Sequence, residues 1–324
     1  MREITYAEAL REALREEMIR DPRVFVLGEE VGLYGGVYRV TQGLLQEFGP
    51  DRVMDTPISE MAIVGVAAGA ALGGYRPVAE IMYMDFLTIS MDQLVTQIAK
   101  MRYMSGGQLK VPLVVRCQYS LGRVHGSQHS QFFPAWFLQS PGIKVVLPAT
   151  PADAKGLLKS AIRCDDPVLF VEAGSLYRLR GPVPDGDYLI PLGKADIKRP
   201  GSDVTIVAYS RVVHEALKAA AELEEEGISC EVIDIRSLVP LDKDTILDSV
   251  RRTRRVVLAG DDVKSGAVTA HLSSIIAEEA LDYLDSPIIR VNSPDTPTPF
   301  SPTLEQAYMP SAQKIVDAVK RIMG

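Results

Sequence analysis

Two successive runs of alternating strand-like and helix-like segments, separated by a stretch rich in Pro, Gly and Asp, make up this 324-residue chain. In each run, short β-branched apolar segments alternate with longer amphipathic ones. Repeated strand–helix–strand crossovers build mostly parallel sheets covered by helices. The predicted fold class is therefore α/β, with two domains that each contain a mostly parallel sheet flanked by helices. We expect a first domain over residues 1–184, a linker over 185–200 and a second domain over 201–324.

Charge and cysteine content exclude several classes of protein. The net charge is −7 and the sequence pI is about 5.3, so the basic surface that a nucleic-acid partner requires is not expected. The cysteines, Cys117, Cys164 and Cys230, are widely spaced, which argues against a disulfide framework or a structural zinc site. The charged, amphipathic first 18 residues do not resemble a signal peptide. Together these features predict a cytoplasmic protein with no membrane span.

Glu60 is the first candidate functional residue, and the sequence leaves its role open. It lies in DTPISEMAIVG, just before a helix rich in small residues. Apolar surroundings disfavour a charged carboxyl group, so Glu60 is a candidate for proton sharing. A glutamate three residues after Pro57 is also typical of helix N-terminal capping. On the local pattern alone, the capping interpretation is favoured.

The segment GRVHGSQHSQ contains His125 and His129 at a spacing of four residues. That spacing suits metal binding only on a helix. Gly122 and Gly126 oppose a helix, so we expect a loop that contacts a substrate. Phe86, at the end of a strand in EIMYMDF, is either a core residue or a platform for a cofactor ring. The chain carries no phosphate-binding loop, no dinucleotide fingerprint and no nucleophile elbow.

Six stretches, in this order, carry a resemblance to a known family. They are GEEVGLYGGVYRVTQGL, FGPDRVMDTPISEMAIVGVAAGAA, YRPVAEIMYMDF, KMRYMSGG, QHSQFFPAWFLQSPGIKVVLPATPADAKGLLKSAIR and PDTPTPFSPTLEQAYMPS. They resemble the β subunits of the E1 components of pyruvate, branched-chain 2-oxo acid and acetoin dehydrogenase complexes. The resemblance spans nearly the whole chain.

The resemblance implies a transketolase-like fold and a site shared between subunits. The first domain would bind the pyrimidine half of thiamine diphosphate, and the second would support an α2β2 heterotetramer. The E1 α subunit would hold the diphosphate and Mg²⁺ through a GDG motif and a downstream Asn. In this chain the nearest match is PDGDY, inside the predicted linker. The E2 acyltransferase, through its lipoyl and subunit-binding domains, would be the second partner.

The resemblance also implies roles for individual residues. Glu60 matches the glutamate that hydrogen-bonds N1′ of the pyrimidine, and Phe86 matches the aromatic residue packed on that ring. His129 matches the histidine that reaches the substrate or the lipoyl group, and Met82 lies at a position that contacts the cofactor. A K⁺ ion would bind the backbone carbonyls of Leu113, Ala161, Ile162, Cys164 and Asp166.

The sequence does not decide the substrate. QHSQ followed by Ala135-Trp136, together with Met82, is more similar to pyruvate and acetoin members than to branched-chain members. The C-terminal PFSPTLEQAYMPS is most similar to acetoin dehydrogenase β subunits. We therefore expect decarboxylation of pyruvate with acyl transfer to E2, with acetoin cleavage as the alternative. A branched-chain substrate, a non-catalytic scaffold that docks E2 and a transketolase-type half remain as further alternatives.

Overall fold

The computed structural model describes residues 1–324, which form two compact units. The first unit comprises Met1–Ser120 and Trp136–Leu192, and the second comprises Leu121–Ala135 and Gly193–Gly324. The first unit is therefore discontinuous in sequence. The prediction placed residues 1–184 in one contiguous domain, whereas Leu121–Ala135 belongs to the second unit.

The first unit is built on parallel strands that are buried along most of their length. Six of its strands run parallel in the order β6-β7-β5-β4-β2-β3, while β1 and β8 form a separate antiparallel pair. The strands are β1 Arg2–Thr5, β2 Val24–Gly28, β3 Val53–Asp55, β4 Arg76–Ile81, β5 Val114–Tyr119, β6 Lys144–Val146, β7 Val168–Ala173 and β8 Arg180–Val183. The helices are α1 Tyr6–Arg20, α2 Leu44–Phe48, α3 Glu60–Leu72, α4 Ala99–Met104 and α5 Pro151–Arg163. Continuous Val- and Ile-rich strands of this kind are typical of a sheet covered on both faces.

The first helix begins later than the pattern over residues 2–20 predicted. Residues 2–5 instead form β1, which pairs with β8. Thr5 then caps α1: its hydroxyl oxygen accepts from the backbone N–H of Glu8, and the Glu8 carboxylate accepts from the backbone N–H of Thr5. This reciprocal capping box fixes the start of the helix.

The second unit carries a smaller sheet with one antiparallel edge. Its order is β14-β13-β10-β11-β9, and all neighbours are parallel except β9, which runs antiparallel to β11. The strands of this sheet are β9 Asp196–Arg199, β10 Val204–Ala208, β11 Cys230–Asp234, β13 Val256–Val263 and β14 Ile289–Ser293. The short strand β12 Ser237–Val239 also belongs to the second unit but lies outside this sheet. The helices are α6 Val212–Glu225, α7 Lys243–Thr253, α8 Val268–Ala280, α9 Pro302–Tyr308 and α10 Ala312–Met323. Strand β9 falls inside residues 185–200, so part of the predicted linker belongs to this sheet.

The strand order places several candidate residues at one edge of the first sheet. Strands β3, β2 and β4 are parallel neighbours, so their carboxyl ends meet at the same edge. In α/β sheets this edge is where ligands bind. None of the helices is long and apolar enough to cross a membrane.

Candidate active site

Two predicted site residues, Glu60 and Met82, and the acidic residue Glu29 follow three neighbouring strands of the first unit. Glu29 comes directly after β2, Glu60 follows the short connection after β3, and Met82 comes directly after β4. The connection after β2 is held to the end of β3, because the Asp55 carboxylate accepts from the backbone N–H groups of Gly32, at 2.5 Å, and Leu33, at 3.0 Å. Glu29 and Glu60 therefore both lie at the carboxyl edge of the sheet.

Glu60 is a buried carboxyl group whose side chain forms no hydrogen bond or ion pair within the chain. It is 5% exposed and is the first residue of α3. The residue before the helix, Ser59, makes no side-chain capping bond either. Glu60 does lie in the first turn of α3, as the capping interpretation expected, but neither its side chain nor that of Ser59 makes a capping hydrogen bond. A buried carboxyl group without a partner is costly and is common where a ligand provides the missing contact.

The surroundings of Glu60 are acidic. Burial raises the pKa of Glu29, and the nearby carboxylates of Glu60, Glu30 and Glu80 raise it further. Carboxyl groups that disfavour each other's ionisation retain protons more readily, which suits a site that shares or moves protons.

Phe86 and Met82 lie beside this edge, on the segment that leaves β4. Phe86 is half-buried and packs edge-to-face against Tyr83, with the ring centroids 5.4 Å apart. Tyr83 in turn accepts a hydrogen bond from the hydroxyl group of Tyr38, at 2.7 Å. Met82 lines a small cavity together with Glu80, Arg116, Glu172 and other residues of neighbouring strands. Phe86, which was predicted to contact a cofactor, is thus held by the ring of Tyr83 and is only half-buried.

A buried ionic cluster lies under the same segment. Arg116, on β5, is 1% exposed and donates two hydrogen bonds to Glu172 on β7, at 2.7 and 2.9 Å. Its third donor reaches Glu80 on β4, at 2.6 Å, and the Tyr177 hydroxyl donates to Glu172 at 2.8 Å. Burial opposes the charge on Arg116, but the two carboxylates outweigh it and raise its pKa. The cluster ties together three adjacent strands just below Met82.

The histidine segment belongs to the second unit and is not helical. Gly122 and Gly126 have φ values of 87° and 74°, which break any helix, as the glycine pattern predicted. Burial lowers the pKa of His125, and the charges of Arg123 and His129 lower it further. No group of three or more His, Cys, Asp or Glu side chains in the chain is arranged to hold a metal ion. His129 therefore lies in a loop, as expected. The lowered pKa of His125 favours the neutral form of that imidazole.

Four of the five backbone carbonyls proposed for K⁺ already accept hydrogen bonds. Arg76 donates to the carbonyl oxygens of Ile162 and Cys164, at 2.9 and 3.0 Å, and to the carboxylate of Asp165 at 2.6 Å. The carbonyl of Leu113 accepts from Val168 N–H, and that of Ala161 accepts from Cys164 N–H. A guanidinium group thus supplies positive charge at two of the carbonyls. The K⁺ set, which includes Asp166, stays a prediction.

Comparison with known proteins assigns both units. The family model for the transketolase pyrimidine-binding domain matches residues 2–180, and the model for the transketolase C-terminal domain matches residues 193–315. The 2-oxoisovalerate dehydrogenase subunit beta of Bacillus subtilis is 47% identical over 98% of this chain and 98% of its own length. The chain belongs to the E1 β subunit family. The transketolase-like fold that the resemblance implied is confirmed.

Other relatives of this E1 β chain differ in their named substrates. The pyruvate dehydrogenase E1 component subunit beta of Rickettsia felis is 48% identical over 99% of the chain and 98% of its own. The beta subunit of the acetoin:2,6-dichlorophenolindophenol oxidoreductase of Bacillus subtilis is 44% identical over 100% of the chain and 98% of its own. Among solved structures, a split-gene transketolase described as an inactive beta4 tetramer has a TM-score of 0.83 at 25% identity, covering 98% of each chain. These identities are too close to one another to select a substrate.

Sequence reasoning overlooked the charged groups that hold the site in place. Arg116 and Glu172 each interrupt an apolar strand, in VVRCQY and VLFVEA. A charged residue inside a buried strand requires a partner of opposite charge. A charged residue within each apolar strand could have indicated a buried ion pair. The sequence pattern does not show which two residues form that pair.

Proposed function

We propose that this E1 β chain provides the pyrimidine-binding half of a thiamine diphosphate site and that an E1 α subunit completes it. The observation that carries the proposal is the buried, unpartnered carboxyl group of Glu60 at the carboxyl edge of the first sheet. When bound, thiamine diphosphate supplies a carbanion equivalent and an electron sink for cleaving the bond next to a carbonyl group. Glu60 would hold a proton against the pyrimidine nitrogen, while Phe86 and Met82 would pack against the ring.

We propose pyruvate as the substrate and transfer of the acyl group to the lipoyl domain of E2 as the outcome. Acetoin cleavage is the second candidate, favoured by the acetoin-related relative and by the C-terminal PFSPTLEQAYMPS. His129 would move a proton during acyl transfer, because a neutral imidazole exchanges protons readily near neutral pH. The α subunit would hold the diphosphate and Mg²⁺, and the complex would act in the cytoplasm.

The experiment that tests the proposal is a comparison of Glu60→Gln with the wild type, each co-expressed with an E1 α subunit. The amide keeps the size of the side chain but does not share a proton in the same way. We expect the rate with pyruvate to fall about 100-fold or more, within the usual range for acid–base catalysis. Rates with acetoin and branched-chain 2-oxo acids, measured in parallel, identify the substrate.

Glu225→Gln is the matched control, because Glu225 is exposed on α6 and has no catalytic role in the proposal. It should retain the wild-type rate. Assembly with the α subunit should be unchanged in both variants. A Glu60→Gln enzyme with normal turnover would return Glu60 to a purely structural role.

The proposal includes a K⁺ ion at the expected backbone carbonyls, two of which also accept hydrogen bonds from Arg76. An ion that binds only the folded state stabilises it, and the effect grows with the ratio of the ion's concentration to its Kd. If K⁺ binds, the thermal midpoint of the assembled enzyme should be higher in KCl than in NaCl at equal ionic strength. Identical midpoints in the two salts would remove the ion from the proposal.

A further inference from the structure

Val124, next to His125, has an unusual backbone conformation. Its φ is 60°, in the left-handed region. It is the only β-branched residue among the non-glycine residues with positive φ, which are Glu30, Arg39, Val124, Ser210, Arg236 and Arg254. Branching at Cβ makes this region especially unfavourable, and such strain persists only where the surroundings impose it. Something must therefore hold the loop in this shape.

Glu305 is the group that contacts this bend. It lies on α9, is 2% exposed, and its Oε2 accepts a hydrogen bond from the backbone N–H of Val124 at 2.9 Å. Its Oε1 is buried and has no hydrogen-bond partner. A buried carboxylate is unfavourable unless it is well bonded. The Glu305 side chain makes its hydrogen bond to the loop backbone. Its position therefore suits a role in holding the loop.

Two further contacts tie the loop to the chain just before α9. The Ser127 hydroxyl donates to the carbonyl oxygen of Thr298 at 2.7 Å. Gly126 lies against the ring of Phe300, so closely that an added Cβ would meet a ring carbon at 3.0 Å. The segment 298–305 thus contacts the histidine loop at three nearly successive residues, all within the second unit.

We propose that Glu305 is a positioning residue, which holds the strained bend at Val124 and so fixes the loop that carries His125 and His129. The inference rests on the proposed function, in which His129 serves acyl transfer to the lipoyl group. Glu305 itself contacts the loop backbone and takes no part in the chemistry. A loop released from this hydrogen bond relaxes at Val124 and no longer presents His129 in one place.

The test uses the assembled enzyme with Glu305→Ala and Glu305→Gln. Glutamine keeps an oxygen that can accept from Val124 N–H, whereas alanine keeps none. We expect Glu305→Ala to lose 10- to 100-fold in the rate of lipoyl-domain acylation, with the rate toward an artificial electron acceptor changed less than threefold. Glu305→Gln should retain at least half of the wild-type acylation rate. Amide hydrogen exchange over residues 122–129 should accelerate in the alanine variant only.

Val124→Gly provides a second test if Glu305→Ala folds poorly. Glycine adopts the left-handed region without strain and keeps the N–H that donates to Glu305, so Val124→Gly alone should keep the wild-type acylation rate. Added to Glu305→Ala, it should restore part of the lost thermal midpoint and acylation rate, because no strained bend remains to be held. No restoration in the double variant would contradict the proposal. Gln306→Ala, an exposed change on the same helix, is the matched control and should match the wild type in every measurement.

Three results would overturn the proposal. Unchanged loop exchange and acylation in Glu305→Ala would show that the loop does not need the hydrogen bond. Equal losses in the alanine and glutamine variants would assign the effect to charge rather than position. Parallel loss of both rates with a lowered midpoint would make Glu305 a general structural residue.

His129→Ala distinguishes failure of this proposal from failure of the proposed function. If acylation survives that change, the catalytic assignment of His129 fails. Faster loop exchange in Glu305→Ala would still support the positioning role of Glu305.

Discussion

Some buried ionisable side chains in this protein have a partner of opposite charge within the chain, and others have none. Arg116 is satisfied by Glu172 and Glu80 inside the first sheet. Glu60, by contrast, is buried with no partner in the chain. A paired charge serves the fold, because removing one partner leaves the others unpaired. An unpaired one is the better indicator of a ligand-binding site.

Replacing Arg116 with Met should therefore destabilise the protein strongly. The methionine fills most of the volume but leaves Glu172 and Glu80 without a positive partner. For a broken buried ion pair we expect a loss of about 3–5 kcal/mol in the free energy of unfolding. Chemical denaturation followed by circular dichroism measures this loss.

Arg15→Met is the comparison, since Arg15 pairs with Glu47 at the surface and its side chain is 51% exposed. Exposed pairs of this type contribute about 0–1 kcal/mol. Equal losses in the two variants would mean that the ionic cluster has no special importance for the first sheet.

At the scale of elements, the junction between β13 and α8 depends on one acidic residue. Asp262 accepts from the Tyr209 hydroxyl and from the backbone N–H of Val268, both at 2.6 Å. Val268 is the first residue of α8, and the residue before it provides no side-chain cap. Tyr209 in turn stacks on Phe132 of the histidine loop, with centroids 6.1 Å apart. The Asp262 carboxyl group therefore links the residue after β10 to the start of α8, and Tyr209 extends this link to Phe132.

This junction should make stability depend on pH in an unusual direction. Burial raises the pKa of Asp262 to about 6, from its ordinary value of 3.8. Between about pH 4 and pH 6 the folded protein holds a proton that the unfolded chain has released, so this group's stabilising contribution falls as pH rises. The total decrease is on the order of 3 kcal/mol. Asp262→Asn does not titrate, so the wild type should lose thermal stability relative to this variant across that window.

Asp21 provides the control of opposite sign. Its hydrogen bonds to Arg23 lower its pKa to about 2, so its contribution is present above about pH 4 and is lost as pH falls toward 2. The difference between the wild type and Asp21→Asn should therefore shrink on acidification. A pH-independent difference between the wild type and Asp262→Asn would rule out titration of Asp262 in this window.

Sequence patterns predicted the elements well where periodicity alone decides them. The alternation of strands and helices gave the two parallel sheets, because burial on both faces leaves a clear apolar run. The patterns were wrong where pairing overrides local preference. Residues 2–5 join β8 rather than α1, and residues 196–199 join β11 rather than a linker, since a distant strand decides both.

At the scale of the whole molecule, the chain contains only part of the chemistry that the proposed reaction requires. It has no cluster of ligands for a metal ion and no phosphate-binding loop. The chain purified without an α subunit should therefore show no measurable turnover of pyruvate or acetoin. Mixing it with an E1 α subunit should restore turnover and give an α2β2 assembly by size-exclusion chromatography with light scattering. Turnover by the α-free chain would contradict this expectation.

The sequence allows only single residues of the candidate site to be proposed. Glu60, Phe86 and His129 were chosen from their place beside strand ends and glycines, together with the family resemblance. The groups that hold them, such as Arg116 and Glu305, were not. Their partners lie far away along the chain: Glu305 is 181 residues from the Val124 amide that it holds. Contacts over that distance leave no local pattern.

That separation also has a consequence during synthesis on the ribosome. The histidine loop is made first, and the residues that anchor it, from Thr298 to Glu305, emerge much later in translation. At about 5–20 residues per second, the loop waits roughly 10–35 seconds for its anchor. The strained bend at Val124 has nothing to hold it in that interval. The histidine segment therefore reaches its final shape only after residues 298–305 have been made and have folded against it.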